Sequence, residues 1–273
     1  MPDATLVVVV NAERPTVCVV SLPQRYTRDI MPKLRSALFL LPVAFPAPCF
    51  ADEHIDAPAA ELRDLCTERP GLTTAACTVD PGHLQVEIGL ADWERDTDSD
   101  ARQDQLRLSD VQLRYGLASR TELQMSWAPF VRTATRDFAA GSLTRSHGIG
   151  DVTIGLKQNL RHPQEKATGF AAAILPYVGL ATGTNGAGDG DWSAGMVLPL
   201  SYKFSETVVL ALSPKVEAEV DEDRSGRHLA YGAAGGLQFS ISDNVRLSPE
   251  LEVMRSRDPA DHATLASAAL SLA

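Results

Sequence analysis

Several groups of residues in this chain have types and spacings suited to chemistry. One is a set of charges that recur in steps of two: Lys215, Glu217 and Glu219; Glu250 and Glu252; Asp151 and Lys157. A step of two puts side chains on one face of a β-strand, where opposite charges either pair or line a passage for a solute. A second group is Cys66 and Cys77. In an oxidising compartment they close a small loop; a metal site would need a further Cys or His pair at ligand spacing, and none lies nearby. A third is His228 and His147, expected at one rim beside Asp221 or Asp223, which are residue types a surface hydrolase would use. No local Ser/His/Asp spacing supports that activity, and triads assemble from residues distant in sequence.

Two other stretches carry less. Asp92, Asp96, Asp98, Asp100 and Asp104 form a carboxylate-rich run that offers oxygen ligands to a hard cation, but without EF-hand spacing. It reads as a solvated acidic loop. Thr182 to Gly190 imitates a phosphate cradle yet lacks the Lys-Ser/Thr of a P-loop, so it reads as a mobile outer loop. No catalytic residue, metal ligand or cofactor is assigned.

The elements that position the charges are strands. Gly148 to Leu160 sets the pattern: Val152, Ile154 and Leu156 alternate with Thr153, Gly155 and Lys157. The alternation recurs in ten segments, beginning with His83 to Leu90, Gln105 to Leu117 and Thr121 to Phe130. It continues through Phe170 to Ala181, Trp192 to Phe204, Thr207 to Val220, His228 to Ile241, Val245 to Met254 and His262 to Ala273. Within the second segment it slips between Leu108 and Val111, which predicts a β-bulge near Ser109-Asp110. Long polar connections follow odd-numbered strands and short turns such as Ser205-Glu206 follow even ones. An even strand number with that asymmetry predicts an all-β fold, a transmembrane antiparallel up-and-down β-barrel of about 10 strands, at most about 12. A soluble sandwich also has regularly spaced strands but does not require alternating connection lengths. In this register the inner face carries Glu87, Arg114, Glu122, Asp151, Lys157, Lys203, Lys215, Glu217, Glu219, Arg246, Glu250 and Glu252. A narrow barrel has little free lumen, so paired charges that fill it are the plainer expectation and a selective passage the functional one.

The N-terminus predicts export. Residues 31–51 have a short basic start, an apolar run and small residues at Cys49 and Ala51, so cleavage after Ala51 is expected. Residues 1–30 precede that signal awkwardly; translation from Met31 is expected, with Thr5 to Val10 left as a strand without a partner. Residues 52–82 form a periplasmic lead-in and residues 83–273 the barrel. The net charge of −10 excludes general nucleic-acid binding, which needs a cationic surface. The chain stops at Ala273 without a terminal aromatic, while position 274 would face lipid, so a natural end at least one residue further is expected.

Thr67-Glu68-Arg69-Pro70-Gly71 and Val79-Asp80-Pro81-Gly82-His83-Leu84-Gln85-Val86-Glu87 resemble the opening of the family named after the meta-pathway of phenol degradation. Gly148-Ile149-Gly150-Asp151 leading to Lys157 resembles its mid-chain strand, and Leu180-Ala181-Thr182-Gly183 its Leu-Pro-Thr-Gly, with Ala181 where Pro is usual. The resemblance implies an outer-membrane transporter associated with aromatic-compound catabolism and brings no catalytic residues. The expected function is passive passage of small, aromatic or hydrophobic molecules through a narrow charged lumen in the outer membrane. The expected partners are outer-membrane lipid, the barrel-assembly machinery and a small solute. The alternatives are a non-conducting structural barrel and a surface hydrolase.

Overall fold

The computed structural model describes residues 4–10, 15–17, 62–63, 66–69, 71–97, 100–162, 168–184, 186–221, 226–242, 245–259 and 264–272. The expected signal peptide lies outside these residues, as does most of the lead-in before Cys66. Met1–Ser21 and Asp64–Ala273 form one compact unit.

It is all-β among the described residues. The strands are β1 (Ala4–Val10), β2 (Pro15–Val17), β3 (Leu84–Thr97), β4 (Ala101–Ala118), β5 (Thr121–Trp127), β6 (Phe130–Asp137), β7 (Leu143–Gly148) and β8 (Val152–Arg161). After them come β9 (Gly169–Leu180), β10 (Ser193–Val197), β11 (Leu200–Lys203), β12 (Val208–Val220), β13 (Arg227–Ser242), β14 (Val245–Ser256) and β15 (Thr264–Leu272). All of these belong to one antiparallel sheet, ordered β15-β14-β13-β12-β10-β9-β8-β5-β4-β3-β1-β2, with β6 on β4 and β7 on β6. From β3 to β15 this is an up-and-down meander of ten staves, because β5/β6, β7/β8 and β10/β11 are each one stave broken in two. Two of the breaks contain Pro129 and Pro199, which have no N–H to give to the ladder.

Two stretches expected as loops are strands instead. β3 runs on through Asp92 to Thr97 and β4 already starts at Ala101, and most of Val131 to His147 is the β6–β7 pair. Both are polar on each face, which hides the period of two. In the β3–β4 hairpin cross-strand ion pairs support the order: Arg95 to Asp104 at 2.6 Å and Arg107 to Asp92 at 3.1 Å. Those pairs also tie up Asp92 and Asp104 of the carboxylate-rich run. The alternation in connection length is thus largely an alternation in how far hairpins project.

The predicted bulge is corrected too. Ser109 has φ 55°, a left-handed conformation uncommon for a residue with a side chain. Yet β3 and β4 keep one register on both sides of it, with Gly89 opposite Asp110 and Ala91 opposite Leu108. The slip in alternation is a backbone kink, with no extra residue inserted.

Burial is inverted relative to a protein folded in water. Glu87, Arg114, Glu122 and Lys157 are fully buried, whereas Leu251, Ile241 and Leu84 are 66%, 65% and 60% exposed. Apolar side chains on every stave from β3 to β15 point out, among them Leu156, Leu180, Met196, Leu212, Leu237 and Leu270. A sheet that buries charge and exposes leucine, with mostly alanine among its buried apolar residues, gains little from the hydrophobic effect in water.

Two further findings concern the edges. Thr5 to Val10, expected to lack a partner, pairs with both β2 and β3: Ala4 lies opposite Trp93 and Val9 opposite Glu87. β1 therefore holds the edge of β3 that would meet β15 in a closed barrel, and closure between β3 and β15 is absent among the described residues.

Candidate functional site

The segment 66–79 lies across the concave face of the sheet and binds staves from one end of the meander to the other. Its disulfide, Cys66–Cys77 with Cα atoms 6.1 Å apart, closes it into a ring. On one wall Glu68 accepts from Gln112 Nε2 at 2.8 Å and Gln124 Nε2 at 3.2 Å, and pairs with Arg114 at 3.6 Å and with Lys157. The backbone N–H groups of Glu68 and Arg69 donate to Glu87 at 3.1 and 2.8 Å. Farther along, Asn159 Nδ2 donates to Ala76 O at 2.7 Å and Val79 N donates to Glu122 at 2.7 Å. On the other wall the amides of Leu72 and Thr73 donate to Glu250 at 2.7 and 3.3 Å, and Thr74 N donates to Ser213 Oγ at 2.9 Å. A short segment touching β3 and β14 alike shows that the sheet is curled around it.

Arg114 is the centre of this arrangement. It pairs with Glu122 at 2.9 Å and Glu87 at 3.1 Å, and its guanidinium also donates to Cys66 O and, at 3.3 Å, to Cys77 O. One rigid fork of donors thereby holds both ends of the disulfide ring. Lys157 adds a second cation, 3.3 Å from Glu122. Three carboxylates (Glu68, Glu87, Glu122) face two cations, with side chains no more than 8% exposed. Burial alone would raise the carboxyl pKa of Glu68, but Arg114 and then Lys157 outweigh it and bring it down to about 2.

The exit of the segment needs a glycine. Gly82 N donates to Gly116 O at 2.8 Å, and a Cβ on Gly116 would stand 2.0 Å from Asp80 O. Only a residue without a side chain lets the chain pass this close to β4.

The expected inward charges separate into groups. Glu87, Arg114, Glu122 and Lys157 meet in the cluster, and Glu250 holds the opposite wall. Lys215 pairs with Glu217 at 2.5 Å and lies 5.6 Å from the Tyr177 ring centre. Lys203 pairs with Glu206 in the turn at 2.9 Å. Asp151 accepts from the amides of Gly183 at 2.6 Å and Asp189 at 2.7 Å. The glycine-rich loop, expected to be mobile, is thus tied to the start of β8; burial, and then the charge of Asp151, raise the Asp189 pKa. Arg246 is exposed near the β13–β14 turn and Glu252 is half-buried.

At the opposite end of β12 and β13 from those turns, His228 meets Asp221 at 2.9 Å and Asp258 at 3.4 Å through Nδ1, and Glu219 at 3.2 Å and Ser256 Oγ at 2.6 Å through Nε2. Asp223 lies outside the described residues, and His147 stacks on Phe130 at 6.4 Å. The Ser256–His228–Asp221 distances are those of a nucleophilic relay. Both ring nitrogens also face carboxylates, Nδ1 towards Asp221 and Asp258 and Nε2 towards Glu219, so the ring equally serves as the hub of a polar cluster at this rim.

Sequence reasoning missed Glu68, which it used only as part of a motif, and the buried amides Gln85, Gln112, Gln124 and Asn159. The available signal for Glu68 was the cysteine pair that encloses it.

A family model described as "Putative MetA-pathway of phenol degradation" matches residues 67–254. No curated protein matches the chain. The match begins one residue after Cys66 and ends within β14, so it takes in the rest of the ring, Glu68 with its partners and Glu250 on the opposite wall.

Proposed function

The chain belongs to this family, and we propose that it is an outer-membrane β-barrel that passes small aromatic or hydrophobic molecules passively through a narrow, charged lumen. The observation that carries the proposal is the inverted burial. Large apolar side chains cover the outside of every stave and the charges lie within, which is favourable where the surrounding solvent is lipid. The outer membrane is the matching site, because a strand-built protein with an export signal is inserted there, and its partners are then the lipid and the barrel-assembly machinery. The family's association with phenol degradation supports an aromatic solute, which is small and largely apolar. Nucleic acid is not a partner, and no catalysis is assigned.

A second reading, a barrel that does not conduct, is favoured by one observation: the 66–79 ring and its ion cluster occupy the concave face between the two walls. Flux separates the two. The purified protein in liposomes is expected to admit phenol-sized solutes faster than protein-free liposomes; equal rates would leave the structural reading. Recovery in the outer-membrane fraction with heat-shifted gel mobility tests the barrel itself, and a soluble periplasmic protein would end both readings.

A further inference from the structure

We infer that the 66–79 ring is a hinged plug: its Glu250 side releases to open the path while its Glu68 side stays anchored. The inference rests on the proposed transport function for its purpose, but its geometry stands on the contacts alone.

The two sides of the ring are held in different ways. At the anchor, Glu68 sits among Arg114, Lys157, Gln112 and Gln124, and the amides of residues 68, 69 and 79 donate to Glu87 and Glu122. Both ends of the ring are bound to one guanidinium through Cys66 O and Cys77 O. Moving this side would part Glu68 from both Arg114 and Lys157 and strip Glu87 and Glu122 of the amides they accept from, which leaves a buried carboxylate and two buried cations with broken pairs and is costly. The other side is held by Glu250, through the Leu72 and Thr73 amides and the Thr73 hydroxyl, and by the mutual Ser213–Thr74 contact. No cation pairs with Glu250 among the described residues. Releasing it exposes one carboxylate and a few amides, groups that water satisfies as the path fills.

The ring also has the shape of a flap. The disulfide makes residues 66–77 move as a closed loop rather than as a free strand. The residues at its far end, Gly71 to Thr74, are those that touch β12 and β14. Gly71 packs against the latch itself: a Cβ there would stand 2.9 Å from Glu250 Oε2, so alanine would displace the carboxylate and leave the anchor untouched.

The test is hydrogen–deuterium exchange on the purified full chain and on the variants Glu250→Ala and Gly71→Ala, with solute flux measured in parallel. In both variants the amides of Leu72, Thr73 and Thr74 are expected to exchange at least about tenfold faster than in the parent, while those of Glu68, Arg69 and Val79 stay within about twofold. Gly71→Ala keeps every charge, so it serves if Glu250→Ala fails to fold. Uniform acceleration across 68–79 would show that the plug leaves as a unit and would overturn the hinge, as would unchanged exchange at 72–74. Flux reports on the other claim: selective exchange without increased flux would uphold the hinge and remove the transport reading.

Discussion

Replacing Lys157 with Met should destabilise the protein more than replacing Glu68 with Gln, although the two side chains are paired. The buried cluster holds Glu68, Glu87 and Glu122 against Arg114 and Lys157. Lys157→Met leaves three carboxylates facing one guanidinium, and removing one partner of a buried ion pair costs about 3–5 kcal/mol. Glu68→Gln leaves two against two and keeps an amide able to bond Gln112 and Gln124. Its upper bound follows from the pKa of Glu68, lowered from 4.5 to about 2. A shift of that size corresponds to about 3 kcal/mol favouring the ionised carboxylate, and glutamine recovers part of it by hydrogen bonding. The double variant restores two anions against one cation and should cost less than the sum of the singles by about 1–3 kcal/mol. The assay is urea unfolding of detergent-solubilised protein followed by tryptophan fluorescence, with heat-shifted gel mobility as a second probe. Equal or reversed single-variant costs, or strict additivity in the double, would refute the cluster as described.

The depressed Glu68 pKa gives a pH window. Its stabilisation should be complete above about pH 4.5 and should fall away as pH drops towards 2, so the parent's unfolding midpoint should decline across that range and the Glu68→Gln variant's should decline less. Gly116→Ala, which drives a Cβ into Asp80 O, should lower stability by about 2–4 kcal/mol and accelerate amide exchange at Gly82, while Gly82→Ala would act through its φ of 77° instead. Replacing Cys66 and Cys77 together with Ser opens a loop with a sequence separation of 11 and should cost about 2–3 kcal/mol, read as a lower unfolding midpoint that reductant no longer shifts. An unfolding midpoint equal to that of the oxidised parent would contradict that assignment.

What was legible in the sequence was what a period of two can encode. Lys157 next to Leu156, and Glu122 next to Leu123, fall on opposite faces in any extended strand. The face carrying charge turned out to be the buried one because the long run of such strands curls with that face inward. The polar hairpin tips were illegible for the same reason. Trp93, Arg95, Asp104 and Arg107 alternate in no apolar pattern, and only pairing across the hairpin makes a strand of them. The cluster was half legible. Four of its charges lie on strands whose register fixes their face, but their partner Glu68 lies on an irregular segment, where no periodicity states which way a side chain points. Glu250 had no visible counterpart either, since what it accepts are backbone amides of Leu72 and Thr73, which every sequence has.

The remaining question of the fold is its seam. β15 has β14 on one side and no strand on the other among the described residues, while the corresponding edge of β3 is held by β1. A lipid-facing sheet cannot leave such an edge open, because each unpaired N–H and C=O in hydrocarbon costs several kcal/mol. The plug already draws β3 and β14 to opposite sides of one short ring, through Glu87 and Glu250, so the two ends of the meander are bent towards each other. Under the proposed export, a chain translated from Met31 and cleaved after Ala51 lacks β1 and β2, which frees β3 for β15. A chain beginning at Asp52, refolded in detergent, should therefore show slow amide exchange along both edges of β15 and a heat-shifted gel mobility, whereas the full chain should exchange rapidly on the outer edge of β15. Equal protection of β15 in the two chains would mean that β1 does not compete for this seam, and the closure argument would fail.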